Sequence, residues 1–156
     1  MNRILLIALS LAAMAGCGLG SSRFALKDSF TRDTAVGAVE GREVCAEMDA
    51  KGGRRPEKLT LELSVVDAAG EPIPSVMPEL ADGQGHLKAQ REIWIERRST
   101  GTRRVCTFLP LEAFPNPRAA YGVRLVLRDS DGRVVSSKDV EPHQTREVAG
   151  EAAQGS

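Results

Sequence analysis

The chain has 156 residues, with 21 Lys and Arg against 21 Asp and Glu, and only four Phe, one Trp and one Tyr. A formal net charge of zero lacks the basic excess of a nucleic-acid binder, so no nucleic acid is expected as a partner. The length suits one domain with its own core.

Arg3 precedes an apolar run from Ile4 to Ala13, and Met14-Ala15-Gly16 lead directly into Cys17. A transmembrane helix needs about 20 predominantly apolar residues, and this run is shorter and followed by Gly16, Gly18 and Gly20. The layout resembles the signal peptide of bacterial lipoproteins, whose lipobox ends in a cysteine that is lipidated and becomes the first mature residue. Met14 stands where that pattern usually has Leu. The resemblance implies loss of residues 1–16, acylation of Cys17 and residence in the bacterial envelope. Gly18, rather than Asp, after the cysteine points to the outer membrane, facing the periplasm. A plain secretory signal is the rival reading, and it leaves three cysteines with an odd thiol. Acylating Cys17 instead leaves Cys45 and Cys106 as a pair, and an oxidising compartment favours their disulfide.

Residues 17–34 are read as the lipidated cysteine and a flexible tether, because Phe24, Leu26 and Phe30 are the main large apolar side chains after Leu19. The domain is expected over 35–141, with strands near 35–39 and 42–49. Leu59, Leu61, Leu63 and Val65 alternate with Thr60, Glu62 and Ser64, as do Val123, Leu125 and Leu127 with their neighbours. That period of two marks half-buried strands. Glycine stands third in Ala68-Ala69-Gly70, Ser99-Thr100-Gly101 and Ser130-Asp131-Gly132, where a three-residue hairpin loop needs positive φ.

Three hairpins are therefore expected: 59–67 with 71–76, 91–98 with 102–109, and 123–129 with 133–140. Their registers place Val65 opposite Ile73, Ile95 opposite Val105 and Leu127 opposite Val135. They also set Trp94 opposite Cys106, Glu96 against Arg104, and Asp129 against Arg133. The fold class is all-β, a single Greek-key β-sandwich of seven to eight strands.

The stretch Tyr121-Gly122-Val123-Arg124-Leu125 through Asp131-Gly132-Arg133 resembles the last hairpin of bacterial immunoglobulin-like domains, with Tyr121 at the tyrosine-corner position. Val65-Val66-Asp67-Ala68-Ala69-Gly70 through Ile73 resembles a hairpin of transthyretin-like modules. The apolar phases put Cys45, Cys106 and Phe108 on an outer sheet face if their strands are the second and fifth. The alternative turns Cys106 and Phe108 inward. The tail, 142–156, is too polar to bury itself and is read as disordered.

No catalytic constellation emerges. His86 among Gly83, Gln84 and Gly85, and His143 in the tail, lack ligand-type neighbours at metal spacing. No nucleophile elbow or phosphate loop is present in the sequence. Neither metal nor cofactor is expected, and the chain is read as no enzyme. The expected role is a lipid-anchored binding or adaptor module, held to the membrane by acyl chains and engaging an envelope protein or polysaccharide. A structural subunit of a secretion or envelope-assembly complex, or a hydrolytic enzyme, are the other classes. Trp94, Arg97, Arg104 and Phe108 are the expected partner-binding patch, because exposed aromatics beside arginines are favoured at interfaces. The alternative has Trp94 packing on the disulfide or covered by Phe24 and Phe30, and the basic pairs Arg97-Arg98 and Arg103-Arg104 merely protecting a strand edge.

Overall fold

A computed structural model describes residues 23–144. Seven strands form two antiparallel sheets: β1 (Phe24–Val36), β2 (Val39–Lys51), β3 (Glu57–Val66), β4 (Lys88–Ile95), β5 (Thr100–Pro110), β6 (Ala120–Arg128) and β7 (Val134–Gln144). The first sheet has the order β1-β2-β5 and the second β4-β3-β6-β7. The expected all-β sandwich is thus the fold. In the constant-type immunoglobulin arrangement the fourth strand joins the first sheet; here β4 lies beside β3 instead.

Alternation builds the core. Val44, Ala46 and Met48 of β2, Leu59, Leu61, Leu63 and Val65 of β3, and Val123, Leu125 and Leu127 of β6 are all buried between the sheets. Leu109 from β5 and Ile93 and Ile95 from β4 complete it. Tyr121 is buried at the start of β6, its ring centroid 5.4 Å from that of Phe114.

Two sandwich edges remain open between the sheets, and side chains bond across both. On one side the hydroxyl Oγ of Ser136 accepts from Leu26 N at 3.0 Å, and Lys138 Nζ donates to the Lys27 carbonyl at 2.5 Å. On the other, Arg91 donates to the Cys106 carbonyl at 2.6 Å and Arg103 to the Trp94 carbonyl at 3.1 Å. These bonds occupy backbone N–H and carbonyl groups at the edges that would otherwise offer themselves to a foreign strand.

Two of the expected hairpin turns form, the first with its expected register and the last with it only beside the turn. Asp67 N donates to the Glu71 carbonyl and Ile73 N to the Val65 carbonyl, at 2.9 and 3.1 Å. The arm after Gly70 pairs only at Val66↔Pro72 and its neighbours, and β4 takes the rest of that edge. In the last hairpin Asp129 N donates to the Arg133 carbonyl at 3.0 Å, and Arg128 faces Val134. A bulge follows, so Leu127 faces Ser136 rather than Val135.

The middle hairpin is overturned. β4 and β5 belong to different sheets, so Ile95 faces Glu57, Trp94 faces Lys58, and Cys106 faces Cys45. Arg104 pairs with Glu47 at 2.6 Å, not with Glu96. Residues 96–99 carry the chain from one sheet to the other, with Arg98 at φ 57°.

The expected tether is also corrected. Phe24–Val36 is a thirteen-residue strand, and Phe24 is buried in the core. Instead of a strand at 35–39, β1 turns at Gly37 and Ala38 into β2, with Val36 facing Val39 and Gly37 at φ 63°. A bulge between Leu26 and Asp28 breaks the alternation, sending Phe24 and Leu26 inward but Phe30 outward, so the strand's pattern is hidden. Residues 142–144, expected in the tail, close β7. Cys17, the signal peptide 1–16 and the tail beyond 144 lie outside the described residues.

Candidate functional site

The outer face of the first sheet holds the cysteines. Because Val44, Ala46 and Met48 point into the core, Cys45 points away from it. It sits in register between Phe30 of β1 and Cys106 of β5, and the two cysteines form a disulfide across Cα atoms 4.1 Å apart. Cys45 is nonetheless fully buried, so the outer placement holds while solvent is excluded. The Phe108 ring lies over Gly41, where an added Cβ would come within 2.3 Å of it. Only glycine admits the ring there.

Charge surrounds this apolar centre. The Arg104 guanidinium stands 5.5 Å over the Phe30 ring while bonding Glu47, and Arg32 Nε donates to Glu43 at 2.6 Å. Asp49 accepts from the Thr102 hydroxyl at 2.7 Å and faces Lys27 at 3.3 Å. The Thr102 hydroxyl and then Lys27 hold its carboxyl below the usual aspartate range.

Beside this face opens a groove of about 670 Å³. It is lined by Leu80 and Asp82 of the loop before β4 and by Lys88, Gln90, Thr107 and Phe108 of the two edge strands. Asp82 shapes the loop: its Oδ1 accepts from the backbone N–H groups of His86 and Gln84, at 2.9 and 2.8 Å. Those two donors depress its carboxyl pKa. His86 Nδ1 stands 3.7 Å from the same carboxylate, and Gly85 N donates to the Asp82 carbonyl at 2.9 Å, so the loop around Gly85 is a closed turn.

The four expected patch residues divide into two groups. Arg104 and Phe108 share the outer face of the first sheet. Trp94, 62% exposed, stands on the outer face of the second sheet opposite Lys58, and Arg97 lies in the crossing between sheets. Trp94 therefore does not pack on the disulfide, and neither Phe24 in the core nor Phe30 on the other sheet covers it. Among the described residues, Glu43 and the two cysteines are the group of metal-type donors that lies together, within 4.8 Å. Their sulfurs are bonded to each other, which leaves one carboxylate and no thiolate for a metal.

Sequence reasoning missed Arg42. It is 1% exposed on the inner face, with Nε 3.5 Å from Asp33 Oδ1 and its guanidinium 5.5 Å from the Phe114 ring centroid. Burial lowers its pKa, and Asp33 opposes that shift. The pattern Gly41-Arg42-Glu43 gave no hint, since an arginine next to an acid ordinarily marks a solvent face.

No protein-family model and no curated protein sequence matches the chain. Solved structures do share its architecture. A glycosyl hydrolase family 2 member from Bacteroides cellulosilyticus superimposes with a TM-score of 0.54 at 13% identity, over 80% of this chain and 16% of that one. The β-glucuronidase 2 of Bacteroides uniformis gives 0.51 at 11%, over 80% and 15%. The class defined is an all-β sandwich of two antiparallel sheets. The chain spans only about a sixth of those enzymes' length, and the likeness is one of fold.

Proposed function

We propose that the chain is a lipid-anchored, non-catalytic binding module of the bacterial envelope, whose partner docks along the groove and the adjoining face of the first sheet. One observation carries this reading: Phe108 stands at the junction of a concave groove and an apolar face rimmed by Arg104 and Glu47. A rigid aromatic at the mouth of a concavity, ringed by polar groups, is the arrangement in which interface energy concentrates. The strands beneath it are fixed by the disulfide, so little ordering is needed on binding. The partner class that suits a groove lined by both Asp82 and Lys88 is a folded envelope protein or a polysaccharide strand.

Photocrosslinking in intact cells from Gln90, an exposed groove residue, should attach a discrete partner. Arg104→Glu should weaken capture by the folded fraction at least about tenfold, the effect of about 1.4 kcal/mol, with a modest fall in melting temperature because the new carboxylate faces Glu47. Because Phe108→Ala removes packing on Gly41, an exposed groove substitution, Gln90→Arg, serves as the second variant. Undiminished crosslinking in both Arg104→Glu and Gln90→Arg would reject this surface. The anchor is tested separately, by the mass of the N-terminal peptide carrying Cys17.

A further inference from the structure

The strand order places one end of the sandwich next to the expected anchor. β1 begins there, β2 ends there, and the connections 52–56 and 96–99 cross there between the sheets. The two connections are bonded together, with Gly52 N donating to the Ser99 carbonyl at 2.7 Å and Arg98 N to the Gly53 carbonyl at 2.9 Å. From Cys17 to Arg23 the chain spans six residues, a reach of at most about 20 Å when fully extended. The rest of the chain's path to an acylated Cys17 is therefore short.

The charges at this end differ from those elsewhere. Over most of the surface the cations are paired: Arg32 with Glu43, Arg104 with Glu47, Lys58 with Glu92, Arg124 with Asp139 and Arg128 with Glu62. Arg54, Arg55, Arg97 and Arg98 are exposed, and their side chains bond nothing among the described residues. Lys51 joins them at the end of β2, and Glu96 is the single carboxylate in the two connections. The unpaired cations thus converge on one pole, where the turn 129–133 adds Asp129 and Asp131, the latter paired with Arg133. Arg98 holds φ 57°, a left-handed conformation that glycine would adopt more readily, so the fold presents an arginine where local geometry favours a smaller residue.

Trp94 stands one residue from the end of β4 at the same pole, with Lys58 opposite. It is the chain's one tryptophan and is 62% exposed. An indole beside arginines suits the level of phospholipid headgroups, where amphipathic rings settle and cations meet anionic lipid.

We propose that this pole is a second membrane contact, docking on anionic phospholipid headgroups with Trp94 at the interface. The inference rests on the reading of Cys17 as the lipid anchor, which sets the pole against the bilayer. Docking fixes the orientation of the sandwich and turns the groove, at the start of β4 and near the end of β5, away from the lipid surface. It also separates the four residues expected as one patch into two working surfaces, Trp94 and Arg97 toward lipid and Arg104 and Phe108 toward the partner.

The test uses the chain from residue 17 with Cys17→Ser, which keeps every described residue and has no acyl chain. It is floated with vesicles of phosphatidylcholine alone or of phosphatidylcholine with phosphatidylglycerol, while Trp94 emission is recorded. Flotation and a blue shift are expected only with phosphatidylglycerol, and both should vanish in 1 M salt, where screening acts over about 3 Å. Each basic residue near an anionic surface strengthens binding about fivefold, so joint replacement of Arg54, Arg55, Arg97 and Arg98 by Glu should lower partition by at least roughly 500-fold. The melting temperature should hold, because those side chains bond nothing in the fold. Equal binding to both vesicles, retention by the four-Glu variant, or retention on heparin without flotation overturns the proposal. An acylated Cys17 in cells together with failed flotation rejects the pole alone. Flotation together with an unmodified Cys17 supports the pole and rejects the anchor.

Discussion

An aspartate three residues before a glycine shapes three of the turns in this chain. Asp67 Oδ1 accepts from Ala69 N and Glu71 N, Asp82 Oδ1 from Gln84 N and His86 N, and Asp129 Oδ1 from Asp131 N and Arg133 N. Gly70, Gly85 and Gly132 follow at φ 82°, 84° and 78°, so one turn occurs three times. The expected turn at Gly101 has Arg98 in the aspartate's place, and there the turn does not form. Two side-chain bonds of this kind contribute about 1–2 kcal/mol together. Asp67→Ala or Asp129→Ala should lower stability by that amount in urea unfolding, and Asn should restore part of it by offering the same acceptor. Asp82 and Asp49 add a pH dependence. Their folded pKa values lie below the ordinary 3.8, so their stabilisation is present above that pH and is lost as pH falls through the folded values. Exchange protection of the Gln84 and His86 amides should therefore fall once the pH drops below 3.8. Arg42 belongs to a different regime. Asp33→Ala should cost about 3 kcal/mol by leaving a buried guanidinium without its carboxylate, whereas Asp33→Leu with Arg42→Met should come close to neutral. Chemical denaturation of the three variants checks the difference.

Local and distant pairings were unequally legible at the level of strands. The turns at Gly70 and Gly132 were readable because aspartate, glycine and the flanking alternation lie within a few residues of each other. The partner of β4 was not, since choosing β3 over β5 depends on sheet packing and leaves no mark between Arg97 and Thr102. β1 was hidden by the bulge after Leu26, which shifts its apolar residues from one face to the other. The cysteine pairing was legible by parity, and the outer phase of both cysteines followed from Val44, Ala46 and Val105. The assembly of Trp94 with Phe108 was inferred through the middle hairpin and failed with it. The disulfide fastens β2 to β5 at the one strand pair that joins β5 to its sheet. Its sequence separation is 61 residues, for which loop-closure arguments give about 2–4 kcal/mol. Cys45→Ala with Cys106→Ala should shift the denaturant midpoint by that amount without changing the order of the strands, and amide exchange along β5 should rise most.

Across the whole molecule, β1 is the element that would connect the expected anchor to the proposed basic pole and groove. Phe24 reaches the core, the Arg23 guanidinium bonds Glu57 at the start of β3, and Lys51 N donates to the Arg23 carbonyl at 2.8 Å. The strand begins within a few residues of the expected lipid, so force on the anchor is transmitted directly into both sheets rather than taken up by a long leash. A leash extending to residue 34 would predict that a chain starting at residue 35 folds normally. The strand predicts the opposite. Removing β1 exposes the full edge of β2, takes Phe24 and Leu26 from the core, and breaks the bonds to Ser136 and Lys138 that close one side of the sandwich. Truncating a buried Phe alone costs about 3–5 kcal/mol, comparable to the whole stability of a marginal domain. A chain starting at residue 21 should unfold cooperatively with an unchanged midpoint, whereas one starting at residue 35 should lack a cooperative transition and aggregate through β2. Circular dichroism melts of the two chains, with light scattering, distinguish these outcomes. Cooperative folding of the shorter chain would return residues 24–34 to the role of tether.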